Sequence, residues 1–131
     1  MSLTLSLDFQ YKTTIEKLWS ALTDSTKLAK WTLENDFKPI VGHRFQFRAQ
    51  PTEYWNGIID GEVLVVEAPS RLSYTWSSGE THTVTWTIQD LGEGKVNLHL
   101  EQTGISNAQA LGGAKYGWTN WNGELEKLLA Q

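Results

Sequence analysis

The second half of the chain is a succession of short segments in which apolar and polar residues alternate, and this pattern restricts the fold more than any other feature. In one segment His82, Val84 and Trp86 share a face, and threonines occupy the positions between them. A period of two is typical of a β-strand with one buried and one solvated face. Turn-forming stretches at 77–80 and 90–95 separate such segments, which predicts neighbouring antiparallel strands.

The N-terminal third adds one strand and two short helices. Residues 3–11 alternate in the same way as the later segments. Apolar residues at helical spacing over 15–22 predict an amphipathic helix. Thr13 and Glu16 have the spacing of a capping box, which predicts that this helix begins at Thr13. Asp24 is predicted to cap the second short helix.

The C-terminal stretch 117–131 has a helical period, because Trp118, Trp121 and Leu125 fall on one stripe. The glycine-rich stretch 103–113 is predicted to be a loop that leads to this helix. No other predicted element is long enough to cover the buried face of the sheet. The pattern therefore predicts an α+β fold, in which a curved six-stranded antiparallel sheet wraps around a long C-terminal helix and two short helices lie between strands 1 and 2.

Length, charge and composition limit the classes of function. The 131 residues suit a single domain, 1–131. The absence of cysteine excludes disulfides and thiolate metal sites. A net charge of −4 without a basic stripe argues against nucleic acid and anionic membranes as partners. The chain begins without a basic segment and has no long apolar run, so we expect no signal peptide, no membrane insertion and a cytoplasmic location.

The chain lacks the short motifs that mark common catalytic, metal and cofactor sites. It contains no HExxH, no close histidine pair, no GxSxG, no Walker loop and no GxGxxG after a strand. We therefore expect no metal, no cofactor and no dedicated catalytic residue. His82, on the inward face of its strand, is the candidate general base. The commoner arrangement is a hydrogen-bonded structural histidine.

Seven tryptophans are the unusual feature of the composition. Aromatic side chains on the strands face the predicted stripe of the last helix, and they form either an ordinary core or the wall of a ligand cavity. Gly117 and Gly123 favour a cavity, because each costs about 1 kcal/mol in a helix and a filled core would favour a larger residue. The residues predicted to line the cavity are Trp31, Phe37, Phe45, Phe47, Trp55, Tyr74, Trp76, His82, Val84, Trp86, Gly117, Trp118, Trp121 and Leu125.

Nearly the whole chain resembles one family. The ordered segments that carry the resemblance are IEKLWSALTDSTKLAKW, VGHRFQF, GEVLVVEAPSRLSYTW, VTWTI, a strand ending in EQTGI, and the GW near the start of the last helix. In this set the chain resembles bacterial proteins that are similar to the activator of the heat-shock protein 90 ATPase, within the START and birch-pollen-allergen-like (SRPBCC) superfamily.

The resemblance implies a helix-grip fold with an apolar cavity between the sheet and the long helix. It implies a small hydrophobic ligand, lipid-like or of aromatic or polyketide type. A chaperone whose ATPase is stimulated is an alternative partner. A third possibility is a cavity enzyme of cyclase or hydrolase type that uses His82 or a carboxylate in the cavity. Both a monomer and a homodimer are compatible with the sequence.

Overall fold

The computed structural model describes residues 2–131, which form a seven-stranded antiparallel sheet and three helices. The sheet is curled, and its strand order is β1-β7-β6-β5-β4-β3-β2. The predicted α+β helix-grip fold is confirmed. In chain order the elements are β1 (Leu3–Lys12), α1 (Ile15–Thr23), α2 (Ser25–Trp31), β2 (Glu34–Asn35), β3 (Arg44–Arg48), β4 (Ile58–Glu67), β5 (Arg71–Ser78), β6 (Glu80–Gly92), β7 (Lys95–Ile105) and α3 (Ala108–Leu129).

The alternating segments form the strands that the pattern predicted, and their apolar faces are buried. On β6, Val84 and Trp86 are 0% and 1% exposed. The additional strand is β2, whose Glu34 and Asn35 pair with Arg48 and with its neighbour Phe47. Two residues cannot display an alternating pattern, so β2 has no signal in the sequence.

The two short helices follow β1 and are both capped by side chains. The cap of α1 is Thr14, whose side chain accepts a hydrogen bond from the Lys17 backbone N–H, so the predicted start at Thr13 is wrong by one residue. Only Thr13 has a glutamate three residues later, but the extended backbone conformation of Thr14 makes this residue the cap. The prediction for α2 is confirmed, because the Asp24 carboxylate accepts from the Lys27 N–H at 3.1 Å.

The long helix begins at Ala108, well before the predicted start at Gly117. Asn107 caps it by accepting a hydrogen bond from the Ala110 N–H at 2.8 Å. Gly112 and Gly113 are exposed positions inside the helix. Their low helix propensity favoured a loop, but the cap and the packing of the following turns outweigh it.

Side chains of α3 attach it to the first strand and to α1. Its buried residues are Trp118, Asn122, Leu125 and Leu129. The Tyr11 hydroxyl donates to the Asn122 side-chain oxygen at 2.7 Å. The Lys17 ammonium donates to the Leu129 carbonyl at 3.0 Å, and a cation at this position also complements the helix dipole.

One end of the sheet carries three of the connections between elements, and we call it the loop end. It consists of the β3–β4 loop (49–57), the β5–β6 turn around Gly79, and the β7–α3 connection (106–107). The helices α1 and α2 follow β1 at the opposite end. Within residues 2–131, no helix combines the length and the apolar character needed to span a bilayer.

Gly61 allows a close approach between β4 and its neighbours, and we predict that Gly61→Ala destabilises the protein. An added Cβ would collide with the Thr75 carbonyl oxygen and the Phe45 ring, neither of which can retreat from the packed sheet. We expect a loss of about 3 kcal/mol in the free energy of unfolding, measured by urea denaturation.

The matched control is Gly123→Ala, because a Cβ at this exposed helical position meets no atom within 4 Å. Its expected effect is a gain of about 1 kcal/mol from helix propensity. Equal stabilities of the two variants would contradict this account of β4.

Candidate ligand site

The indole of Trp118 lies at the centre of an aromatic cluster between α3 and the sheet. Its ring centroid is 5.2 Å from that of Trp86, 5.3 Å from that of Trp76 and 5.2 Å from that of Trp121. The rings of Trp118 and Trp86 meet edge to face, at an interplanar angle of 86°. This geometry is favourable, because the positive edge of one ring faces the negative face of the other.

The cluster continues across the sheet toward β3 and the segment before it. Phe47 contacts Trp76 at 5.0 Å, and Phe45 contacts Phe37 at 5.1 Å and Tyr74 at 5.4 Å between centroids. The rings therefore pack against one another in a continuous series. The predicted aromatic residues of the strands and of α3 come together as the pattern indicated.

Most of the predicted lining residues are buried deep in this cluster and in the core around it. Those with 9% exposure or less are Trp31, Phe37, Phe45, Phe47, Tyr74, Trp76, Val84, Trp86, Trp118 and Leu125. The others, Trp55, His82, Gly117 and Trp121, are partly exposed. Whether these residues line a ligand cavity stays a prediction.

Hydrogen bonds hold several of the buried aromatic side chains in place. The Trp86 N–H donates to the Tyr74 hydroxyl at 2.8 Å, and the Trp31 N–H donates to the Ala21 carbonyl at 2.9 Å. Burial raises the pKa of Tyr74 well above its ordinary value, and the hydrogen bond from Trp86 opposes this only in part. Tyr74 is therefore a neutral phenol, and it orients the Trp86 ring.

A second polar group under α3 is a chain of three short hydrogen bonds. The Trp118 N–H donates to the Gln102 side-chain oxygen at 2.6 Å. The Gln102 side-chain nitrogen lies 2.6 Å from His82 Nδ1, and His82 Nε2 lies 2.6 Å from the Glu80 carboxylate. The hydrogen bond with His82, followed by that with Ser106, lowers the pKa of Glu80 below its ordinary value. We call Trp118, Gln102, His82 and Glu80 the relay.

Sequence reasoning identified His82 and Trp118 but missed Gln102 and Glu80. Gln102 is 2% exposed, at the position where the inward alternation of β7 would place another apolar residue. A polar residue at an inward position of a strand was the available signal. Glu80, the first residue of β6, had no such signal, because the sequence predicts a turn over 77–80, where charged residues are usual.

The N-terminal half of α3 presents small residues on the flank that ends at Trp121. Ala110, Ala114 and Gly117 are partly buried there, spaced at helical intervals. A Cβ added to Gly117 would meet no atom within 4 Å. Partial burial without near neighbours means that there is space beside this flank of the helix.

The indole N–H of Trp55 is buried and has no hydrogen-bond partner among residues 2–131. Trp55 belongs to the β3–β4 loop and packs against the core, whereas its neighbour Tyr54 is 92% exposed. An unpaired buried donor costs about 1–3 kcal/mol. Of these two neighbouring aromatic residues, Tyr54 is therefore exposed and Trp55 is turned inward.

A cleft of about 500 Å³ lies at the opposite end of α3 from the small-residue flank. It is lined by Gln10, Tyr11, Lys12, Lys95, Glu126, Leu129 and Ala130, most of which are exposed. This cleft is open to solvent and shares no residue with the aromatic cluster. Across residues 2–131, no three histidine or carboxylate side chains converge as metal ligands would.

Solved structures of other proteins have the same fold. A protein from Mesorhizobium loti is 38% identical, with a TM-score of 0.90 over 98% of this chain and 97% of that chain. An Hsp90 activator from Plasmodium falciparum is 22% identical, with a TM-score of 0.81 over 98% and 96%. A protein of the dynemicin biosynthetic locus is also 22% identical, with a TM-score of 0.84 over 98% of this chain and 47% of that chain. The two likenesses at 22% identity show the fold alone.

No curated protein matches the chain significantly. The sequence profile of one family matches residues 12–130, which include every helix and nearly every strand of the fold. This family is described as Activator of Hsp90 ATPase homolog 1-like protein, in agreement with the resemblance carried by the sequence segments. The chain therefore belongs to the Activator of Hsp90 ATPase homolog 1-like family.

Proposed function

We propose that the protein binds a small apolar ligand, aromatic or lipid-like, between the N-terminal half of α3 and the concave face of the sheet. The observation that carries this proposal is the space beside Gly117, on a partly buried helix flank that ends at Trp121. A flank of small residues next to an aromatic cluster offers an apolar ligand both room and a ring to pack against.

The predicted lining residues have two different roles in this proposal. The deeply buried rings, such as Trp86 and Phe45, contact other rings and support the site from below. The ligand lies against the partly accessible Trp121 and against Trp76, whose rings are 6.3 Å apart and nearly perpendicular. Gly117 leaves the room above them.

The unpaired N–H of Trp55 specifies one polar feature of the ligand. Trp55 lies on the β3–β4 loop, at the loop end of the sheet. A carbonyl or ether oxygen on the ligand would accept a hydrogen bond from this donor and remove the cost of leaving it unpaired. We therefore propose an apolar ligand with at least one oxygen acceptor.

The surroundings of His82 support binding rather than catalysis. Its Nδ1 faces the Gln102 amide and its Nε2 faces the Glu80 carboxylate, each at 2.6 Å. A general base needs a free nitrogen within hydrogen-bond reach of its substrate. With both nitrogens engaged, His82 is a structural residue in our proposal.

We predict that Gly117→Leu blocks the ligand space. N-phenyl-1-naphthylamine is a neutral apolar fluorophore, and its fluorescence rises when it enters an apolar site. We expect its affinity, measured by titration, to fall at least about tenfold in Gly117→Leu, because the leucine side chain takes the place of the probe.

The control is Gly123→Leu, which makes the same chemical change at an exposed position of the same helix. We expect this variant to bind the probe as the wild type does. Unchanged binding in Gly117→Leu, with its fold verified by circular dichroism, would contradict the proposed position of the ligand. Native mass spectrometry of freshly purified protein would identify a co-purified ligand.

A second candidate function is stimulation of a chaperone ATPase. The observation in its favour is the family profile, which covers residues 12–130. We predict on this hypothesis that the protein increases ATP hydrolysis by Hsp90 from the same organism, measured in a coupled assay. No increase when the protein is titrated into excess over Hsp90 would exclude this function, and heat-denatured protein is the control.

A further inference from the structure

The donors and acceptors of the relay can be assigned without ambiguity. An indole N–H can only donate, so the Gln102 atom that faces Trp118 is the oxygen. The Gln102 nitrogen therefore faces His82 and donates to Nδ1. Nδ1 must then be unprotonated, and the ring proton resides on Nε2, which donates to the Glu80 carboxylate.

The relay connects the proposed ligand site to the His82 imidazole and, through it, to the Glu80 carboxylate. Trp118 contacts Trp76 and Trp121, the two rings against which we place the ligand. Glu80 also accepts a hydrogen bond from the Ser106 N–H at 3.4 Å, immediately before α3. A change in the relay therefore reaches both the central indole and the start of the helix.

We infer that Gln102 is a positioning residue of the ligand site, and that through His82 it makes ligand binding depend on pH. This inference rests on the proposed function. Neutral His82 accepts from Gln102, and Gln102 then holds the Trp118 ring in the position that the ligand requires.

Protonation of His82 conflicts with this arrangement. The imidazolium carries a hydrogen on Nδ1, which would face the N–H groups of the Gln102 amide. Rotation of the amide would place its oxygen toward His82, but its nitrogen would then face the Trp118 N–H. Either His82 or Trp118 loses its hydrogen bond, because the two donors face different ends of the amide and the oxygen occupies only one end.

The charged group that faces His82 is Glu80, which lies on the same strand. The neighbouring elements present uncharged side chains to it: Trp76 lies opposite on β5, and Gln102 lies on β7. From α3, Trp118 is linked to His82 by hydrogen bonds through Gln102. The negative charge of the Glu80 carboxylate favours the protonated form of His82. The N–H groups of the Gln102 amide disfavour a proton on His82 Nδ1. Replacing this amide by a carboxylate is therefore a direct test.

We predict that wild-type affinity for N-phenyl-1-naphthylamine falls about tenfold from about pH 7.5 to about pH 5.5, a range in which histidine side chains titrate. In Gln102→Glu, a carboxylate can accept from both the Trp118 N–H and the protonated His82 Nδ1. We expect this variant to keep its affinity at about pH 5.5. The control is Gln89→Glu, an exposed position on β6, which should keep the wild-type pH dependence.

Nuclear magnetic resonance of the ligand-free protein tests the relay independently of ligand binding. At about pH 7.5 the ¹⁵N signals of the His82 ring should show a proton on Nε2 alone. The indole N–H signal of Trp118, assigned with Trp118→Phe, should move as His82 titrates.

A Trp118 signal that does not follow His82, or a proton on Nδ1 at about pH 7.5, would overturn the inference even if the probe binds. Equal probe affinity at both pH values in the wild type would overturn it as well. Failure of the probe to bind at either pH would instead contradict the proposed function. If Gln102→Glu does not fold, the spectra of the wild type alone test the proposed role of the relay.

Discussion

The position of the long helix depends on a buried indole N–H that can only donate. Trp118 lies on the inward face of α3, with 4% of its surface exposed, and its donor must find an acceptor on the sheet. Gln102 supplies this acceptor from β7 at 2.6 Å. The bond sets the rotation of the helix about its axis at this point, whereas apolar packing alone is not directional. Tyr11 and Lys17 attach the helix again nearer its C-terminus, through Asn122 and Leu129.

The aromatic cluster is firmly packed between α3 and the sheet. Its rings meet mostly edge to face, and those below α3 leave only a few per cent of their surface accessible. The sequence allowed two interpretations of the aromatic residues, as a core or as a cavity wall. We propose that each interpretation holds for a different part of the cluster. According to this proposal, the strand residues form a core, and the ligand binds in the space beside Gly117 and Trp121. Small residues on the helix rather than missing side chains on the sheet make this room.

Fold class could be predicted because it depends on periodicity, which the sequence displays directly. Alternation identified the six longer strands. The strand β2 was not predicted, because two residues are too few to show an alternating pattern. The start of α3 was wrong because Gly112 and Gly113 have low helix propensity, whereas the cap at Asn107 and the packing of the helix decide the outcome. The cap of α1 is Thr14 and not the predicted Thr13, because the backbone of Thr14 has the extended conformation of a cap.

The sequence by itself determined which residues face inward, because the side chains of strands and helices follow fixed periods along the chain. It therefore placed the aromatic residues opposite α3 and identified His82 as inward-facing. Only the tertiary structure decided which inward side chains touch. Gln102 and Trp118 are 16 positions apart in the chain, and Tyr11 and Asn122 are 111 positions apart. Contacts of this kind depend on the register of the strands and on the rotation of the helix about its axis. Neither of these produces a repeating pattern in a single sequence.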